Sequence, residues 1–190
     1  MSDTKERILQ TALRLFAKDG YEAVSVSDIA GELDMTKGAL YRHYTNKRDI
    51  LDSIVGRMAE LDAAQAEMPG VPSVDDIISW GGARFRFWAS DGFAAQFRRL
   101  LTLEQFRSGE MGALYQRYLV SGPMVELAKS FAALGLLKPH RAAVEFYAPL
   151  FLLYGVYDGA PNKDAVLAAV DDHLENSRRK LKETTRNVRR

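Results

Sequence analysis

Apolar residues recur at intervals of three and four along almost the whole chain, and this spacing is the strongest constraint on its fold. It places apolar side chains along one face of an α-helix. No run alternates apolar and polar residues over the length of a strand, and no motif repeats at a fixed period. We therefore predict an all-α protein of about nine helices. The clearest break is at 68–73, where two prolines and a glycine cannot continue a helix.

Capping residues divide the N-terminal part into four helices. The first begins near Asp3 and ends at Gly20, whose lack of a side chain suits a helix terminus. Ser27 is predicted to cap the second helix, Thr36 a third that runs to about Tyr44, and Asn46 a fourth. Later helices are predicted over 74–89, 93–107, 111–133, 141–157 and 163–184, the third of these interrupted at 122–123.

Two short helices behind a longer one suit a helix-turn-helix, in which the second short helix enters the major groove of DNA. In the 36–44 helix, Leu40 and Tyr44 share one face and are predicted to pack inward. The opposite face carries cations and small residues that can approach bases or phosphates. The predicted DNA contacts are Ser25, Ser27, Thr36, Lys37, Gly38, Ala39, Tyr41, Arg42, His43 and Lys47.

Net charge does not indicate a nucleic-acid-binding protein, because the 190 residues sum to only +1. Residues 1–48 hold eight basic and seven acidic side chains, so this segment also sums to +1. A basic, aromatic short helix can be merely a solvated face. From the residues alone, a three-helix unit that touches no DNA therefore stays an alternative.

Residues 5–54 resemble the N-terminal domain of the TetR (tetracycline repressor-like) family over their whole length. The resemblance is carried by 8–9, Ala12, 15–16, 20–21, 27–30, the run from Lys37 to Tyr44, 46–47 and Leu51. Met35 and Tyr44 are mild departures, since valine and phenylalanine are commoner there. The resemblance implies DNA contacts at Lys37, Gly38, Tyr41, His43 and Lys47, with Arg42 at a variable, base-reading position. It also implies a DNA-binding domain over 1–48 and an effector-binding, dimerising domain over 49–190.

Aromatic residues are dense over the helices between 74 and 133. The predicted ligand-binding residues are Trp80, Phe85, Trp88, Phe97, Glu104, Phe106 and Tyr115, and core packing is the alternative for each aromatic side chain. Gly81 and Gly82 among them indicate either a close helix approach or an empty pocket. Glu104 either orients a ligand or forms an ion pair with a nearby arginine.

The last two helices are predicted to form a dimer interface, because the 141–157 helix is apolar on more than one face. The interface residues are Tyr147, Phe151, Tyr154, Val166, Val170 and Leu174, and packing within the monomer is the alternative. The basic segment 178–190 is predicted to be a solvated helix end that frays into a tail.

These features favour a ligand-responsive repressor that binds a palindromic double-stranded DNA operator as a homodimer and is released by a small, mainly hydrophobic effector. Alternatives are an architectural or activating DNA-binding protein without an effector, or a helical enzyme. Catalysis is disfavoured because the three histidines are scattered and no phosphate-binding glycine loop occurs. We expect no cofactor, metal or membrane partner and a cytoplasmic location, consistent with the absence of cysteine and of a long apolar run.

Overall fold

The computed structural model describes residues 3–65, 68–90 and 92–188, with side chains to residue 186. This part of the chain holds ten α-helices and no strand, which confirms the all-α prediction. The helices are α1 (Asp3–Asp19), α2 (Val26–Glu32), α3 (Lys37–Tyr41), α4 (Lys47–Ala63), α5 (Val74–Ser90), α6 (Gly92–Glu104), α7 (Gly109–Leu119), α8 (Ser121–Ala133), α9 (Pro139–Gly159) and α10 (Lys163–Val188). Residues 189 and 190 of the basic segment lie outside the described residues.

The tenth helix results from a break in the predicted 111–133 segment. Val120 leaves helical geometry with φ −125° and ψ −85°, so α7 ends before it and α8 begins after it. A Cβ atom on Gly122 would overlap the carbonyl oxygen of Arg117, so the close approach of the two helices requires glycine there. The predicted interruption is therefore real, and it separates two helices rather than bending one.

The helices form two compact units that do not follow chain order. The first unit comprises 1–65 and 92–115, and the second comprises 66–91 and 116–190. In the first, α1 packs against α2, α4 and α6; in the second, α9 packs against α5, α8 and α10. The division at residue 48 proposed from the sequence is a functional one, and it stays a prediction.

The second unit has a close helix contact at Gly81 and Gly82 of α5. A Cβ atom on Gly81 would lie 2.7 Å from the Phe146 ring, and one on Gly82 would lie 3.2 Å from Leu174. Both glycines are buried. Between the two interpretations of this glycine pair, the structure supports the close helix approach.

Gly81→Ala is therefore expected to lower the free energy of unfolding by about 1–3 kcal/mol, because the buried Phe146 ring must shift to admit a methyl group. Gly56→Ala in α4 is the matched control, since a Cβ atom there meets nothing within 4 Å. It should raise the free energy of unfolding by up to about 1 kcal/mol, the usual gain from alanine in a helix. Urea unfolding of both variants tests the contact, and equal effects would contradict it.

Candidate nucleic-acid interface

Local caps define the two short helices of the first unit. Ser25 caps α2, with its Oγ accepting from the backbone N–H of Asp28 and the Asp28 carboxylate accepting from the Ser25 N–H. These hydrogen bonds hold the pKa of Asp28 below its usual value. The prediction that Ser27 caps this helix is wrong, because Ser27 lies one residue inside it. The capping box at Ser25 and Asp28 was the signal that would have placed the start correctly.

The caps of α3 and α4 are confirmed. The Thr36 hydroxyl accepts from the Ala39 N–H at 3.1 Å, and the Asn46 side chain accepts from the Asp49 N–H at 2.9 Å. Asp34, between α2 and α3, has a φ of +54°, a left-handed conformation that asparagine and aspartate tolerate better than other side chains. The tight turn that this residue makes lets α3 follow α2 after four residues.

The inward face of α3 is anchored as predicted. Leu40 and Tyr44 are buried, and the Tyr44 hydroxyl donates to the Lys5 carbonyl of α1 at 3.3 Å. Burial raises the pKa of Tyr44 to about 12. Because both anchors lie on one side, the other side of α3 faces away from α1 and α2.

The outward face of α3 carries the residues predicted to read DNA. Thr36, Lys37, Gly38 and Arg42 are exposed, and 44% of the Tyr41 surface is accessible. Ser25 and Ser27 are also exposed, whereas Ala39 and His43 are half-buried. A Cβ atom on Gly38 would meet nothing within 4 Å, so its bare backbone lies open to the surface.

The cations Lys37 and Arg42 on this face differ from Arg14 and Arg48 in their partners. Arg14 pairs with Glu32 at 2.6 Å, and Arg48 pairs with both Asp52 and Glu110. In contrast, no ion pair joins Lys37 or Arg42 to any residue that the structure describes. The Lys37 ammonium lies 5.9 Å from the centre of the Tyr41 ring, which orders it without neutralising it. Lys37 and Arg42 therefore place two positive charges without an ion-pair partner on this face, although the segment sums to only +1.

Lys47 differs from Lys37 and Arg42, because its side chain contacts the turn between α1 and α2. Its Nζ donates to the Tyr21 carbonyl at 2.9 Å and lies 4.2 Å from the centre of the Tyr21 ring. Glu22 is a further partner at 3.8 Å. The Lys47 ammonium therefore has a structural contact in the subunit, and its phosphate contact stays a prediction. Its backbone N–H belongs to the first residue of α4, where helix N–H groups have no partner within the helix.

Glu104, predicted to orient a ligand, supports the same turn from α6. Only 3% of its surface is exposed, and its Oε1 accepts from the Tyr21 N–H at 3.0 Å and pairs with Arg107 at 3.2 Å. Gly20, with φ +89°, leaves room for these groups, since a Cβ atom there would lie 2.9 Å from both. The ion-pair interpretation of Glu104 is confirmed.

The other predicted ligand-binding residues fall in both units. Trp80, Phe85 and Trp88 are buried in the core of the second unit, where Phe85 stacks on Tyr154 with centroids 5.0 Å apart. In the first unit Phe97 is buried, Tyr115 is half-buried, and Phe106 is 91% exposed. An exposed Phe106 cannot line an enclosed pocket of its unit, because nothing covers its ring there.

The predicted dimer residues also need correction. Five of the six are buried inside the second unit; these are Tyr147, Tyr154, Val166, Val170 and Leu174. Only Phe151 is exposed. The 141–157 segment has two apolar faces, and the predicted set combined the inward face with the outward one.

Among the residues that the structure describes, no helix is both long and apolar enough to cross a membrane, and no cluster of side chains could hold a metal ion.

Residues 8–54, which contain the capped helices and the open face of α3, match the family model described as bacterial regulatory proteins, tetR family. The chain therefore carries the N-terminal domain of the TetR family. The resemblance seen in the sequence is confirmed, and the match includes all the predicted DNA contacts. TetR-family proteins are helix-turn-helix transcriptional regulators, and the match includes the first eight residues of α4.

Curated relatives are similar over this same region. The uncharacterized helix-turn-helix regulator YerO of Bacillus subtilis is 34% identical over 90 residues, which is 45% of this chain and 31% of the relative. The transcriptional repressor KstR of Mycolicibacterium smegmatis is 38% identical over 58 residues, which is 30% of this chain and 28% of the relative. The matching segments thus span about a third of each relative.

A solved structure extends the likeness to the remaining helices. It is a TetR/AcrR-family transcriptional regulator from Thermobifida fusca, 25% identical, with a TM-score of 0.53. The alignment covers 91% of this chain and 97% of that one. The all-helical arrangement behind the DNA-binding domain is therefore also that of a TetR-family regulator.

Proposed function

We propose that this chain is a transcriptional repressor that binds a palindromic operator as a homodimer and is released by a small, mainly hydrophobic effector. The observation that carries the proposal is the pair of exposed, uncompensated cations on α3, Lys37 and Arg42, beside the bare backbone of Gly38. KstR, a relative in the DNA-binding region, is by its name a repressor.

In the proposed complex, α3 of each subunit lies in a major groove. Arg42 and Tyr41 face base edges, where an arginine can donate two hydrogen bonds to guanine. Hydrogen bonds to phosphate oxygens come from the hydroxyl groups of Ser25, Ser27 and Thr36 and from the backbone N–H of Lys47. The Lys47 ammonium and Glu104 act indirectly, by holding the Tyr21 turn from two sides.

The proposed dimer uses an exposed apolar stripe on α9. The stripe is defined by Val144, Ala148, Phe151, Leu152, Gly155 and Val156, all exposed in the subunit. Their spacing of three and four places them along one side of the helix. Exposed alanines at 165, 168 and 169 give α10 a small-residue face that allows a partner helix close approach. Two such helices from each subunit would form a four-helix bundle.

If effector binding releases the repressor from DNA, the effector and the operator must weaken each other's binding to the protein. If the effector lowers operator affinity by a given factor, operator DNA lowers effector affinity by the same factor. An architectural or activating DNA-binding protein without an effector would show no such reciprocity. Selecting bound sequences from random DNA, then repeating the titration with candidate ligands, tests the operator and the release separately.

Arg42→Ala is expected to change the preferred base at one position of each half-site, with about 1–3 kcal/mol of discrimination lost there. Binding should be titrated against the selected operator and its single-base variants at several salt concentrations. Arg14→Ala is the matched control, because this arginine is paired with Glu32 and should leave base preference unchanged. A uniform loss of affinity over all sequences in Arg42→Ala would show that Arg42 contacts only phosphate.

A further inference from the structure

A groove of about 440 Å³ in the second unit takes no part in the proposed DNA binding or in the apolar stripe. It is bounded by the end of α8, the 134–138 connection, the first turns of α9 and the second half of α10. Its base includes Phe131, Phe146 and Leu181, which are buried, and Leu136 and Leu137 extend the apolar wall to the surface. The volume is within the range of small-molecule sites, roughly 300–1,000 Å³.

The rim of the groove is positively charged. Its charged residues are Lys138, Arg141, Glu145 and Lys180. Arg141 is balanced by Glu145, since its Nε lies 2.7 Å from the Glu145 Oε1. Neither Lys138 nor Lys180 has an ion-pair partner among the residues that the structure describes. Two uncompensated ammonium groups therefore stand beside an apolar base.

His173 adds a polar group to the same wall. Its Nε2 lies 2.8 Å from the Phe146 carbonyl oxygen, and because a carbonyl can only accept, Nε2 must carry the hydrogen. In the neutral ring Nδ1 is then an acceptor, and in the protonated ring it becomes a donor. Asn176 and Ser177 also line the groove and supply uncharged hydrogen-bonding groups.

We propose that this groove binds an amphiphilic carboxylate, with its apolar chain against the wall formed by Leu136 and Leu137 and its carboxylate between Lys138 and Lys180. The apolar base disfavours a fully hydrated anion such as phosphate, and the two lysines disfavour a cationic amphiphile. The groove shares no residue with the stripe on α9. The inference is independent of the proposed repressor function, since the groove shares no residue with the α3 face. Its ligand binding can be measured without DNA.

The first experiment titrates the full chain with dodecanoate below its micellar concentration, using calorimetry in the absence of DNA. We expect saturable binding of one dodecanoate per chain that weakens as salt is added, since exposed charge pairs are screened. Dodecanol, with the same chain and no charge, should bind more weakly. Equal affinity for dodecanol would overturn the assignment of an anion site.

Charge-reversal variants locate the site. Lys180→Glu should weaken dodecanoate binding by roughly tenfold, because it replaces an attraction with a repulsion. Lys129→Glu is the matched control, since it makes the same change at an exposed lysine of α8 that does not line the groove. Equal losses in both variants would indicate general surface attraction and overturn the proposal.

Filling the groove provides a second test. Ala142→Phe, from the half-buried groove wall, should abolish dodecanoate binding while the melting temperature stays near that of the unmodified chain. Unaltered binding in this variant would place dodecanoate elsewhere. Sedimentation of Lys180→Glu completes the test, because a change from dimer to monomer without any dodecanoate binding would make the groove a subunit contact instead.

Discussion

Leu152→Glu is expected to convert the proposed dimer into monomers and to lower operator affinity by a factor of about 10²–10⁴, the advantage that a second linked binding head usually provides. Leu152 is 68% exposed in the subunit, on the stripe of α9. A carboxylate there costs the isolated subunit little, but in the dimer it would be buried without a partner. Sedimentation at micromolar concentration and operator titration measure the two effects.

Two control variants separate loss of the interface from loss of the fold. Val125→Glu places the same charge on an exposed apolar position of α8, outside the stripe, and should leave the dimer intact. Leu174→Glu should instead unfold the second unit, because Leu174 is buried against Gly81 and Gly82 of α5. A dimer that survives Leu152→Glu, or a wild-type chain that sediments as a monomer, would disprove the proposed interface.

Trp88→Ala is expected to lower the free energy of unfolding by about 3–5 kcal/mol, the usual cost of truncating a buried tryptophan. Trp88 is fully buried, with its ring 5.4 Å from Phe87 and 5.8 Å from Tyr118. Because the loss is global, DNA binding and effector response should fall together rather than selectively. Thermal melting beside operator titrations, with and without a candidate effector, measures both.

Phe106→Ala is the companion variant, because Phe106 was predicted to line the same pocket as Trp88 and yet is largely exposed. Its removal should change the melting temperature very little. A stable Trp88→Ala variant that loses only its effector response would support the prediction that Trp88 binds the effector. The same selective loss in Phe106→Ala would support the same role for Phe106.

The DNA-binding region was predictable because its determinants lie close together in the chain. The caps at Thr36 and Asn46, and the pairing of Leu40 with Tyr44 on one face, depend on residues three or four positions apart. One cap was misplaced by two residues, since Ser25 and Ser27 offer the same hydroxyl. The geometry of Asp28 decides between them, because its carboxylate reaches the N–H of Ser25.

Residue type could not separate core from surface among the aromatic side chains of α5 to α7. Trp88 and Phe106 are both large apolar residues in helical patterns, yet one is fully buried and the other lies open. The same limit applies to α9, where both sides of the helix are apolar. Which of the two faces inward depends on how α5, α8 and α10 pack around it, and no local spacing encodes that choice.

The helical class, the positions of most helices and the exposed face of α3 were predictable from local patterns, because periodicity, caps and turns act over one or two helical turns. The partners of the polar groups, in contrast, depend on how the helices pack together. Lys47 and Glu104, 57 positions apart in sequence, converge on the backbone of Tyr21. Such contacts are made by folding distant helices together, so hydrogen-bonding groups that look free in the sequence are already used in the protein.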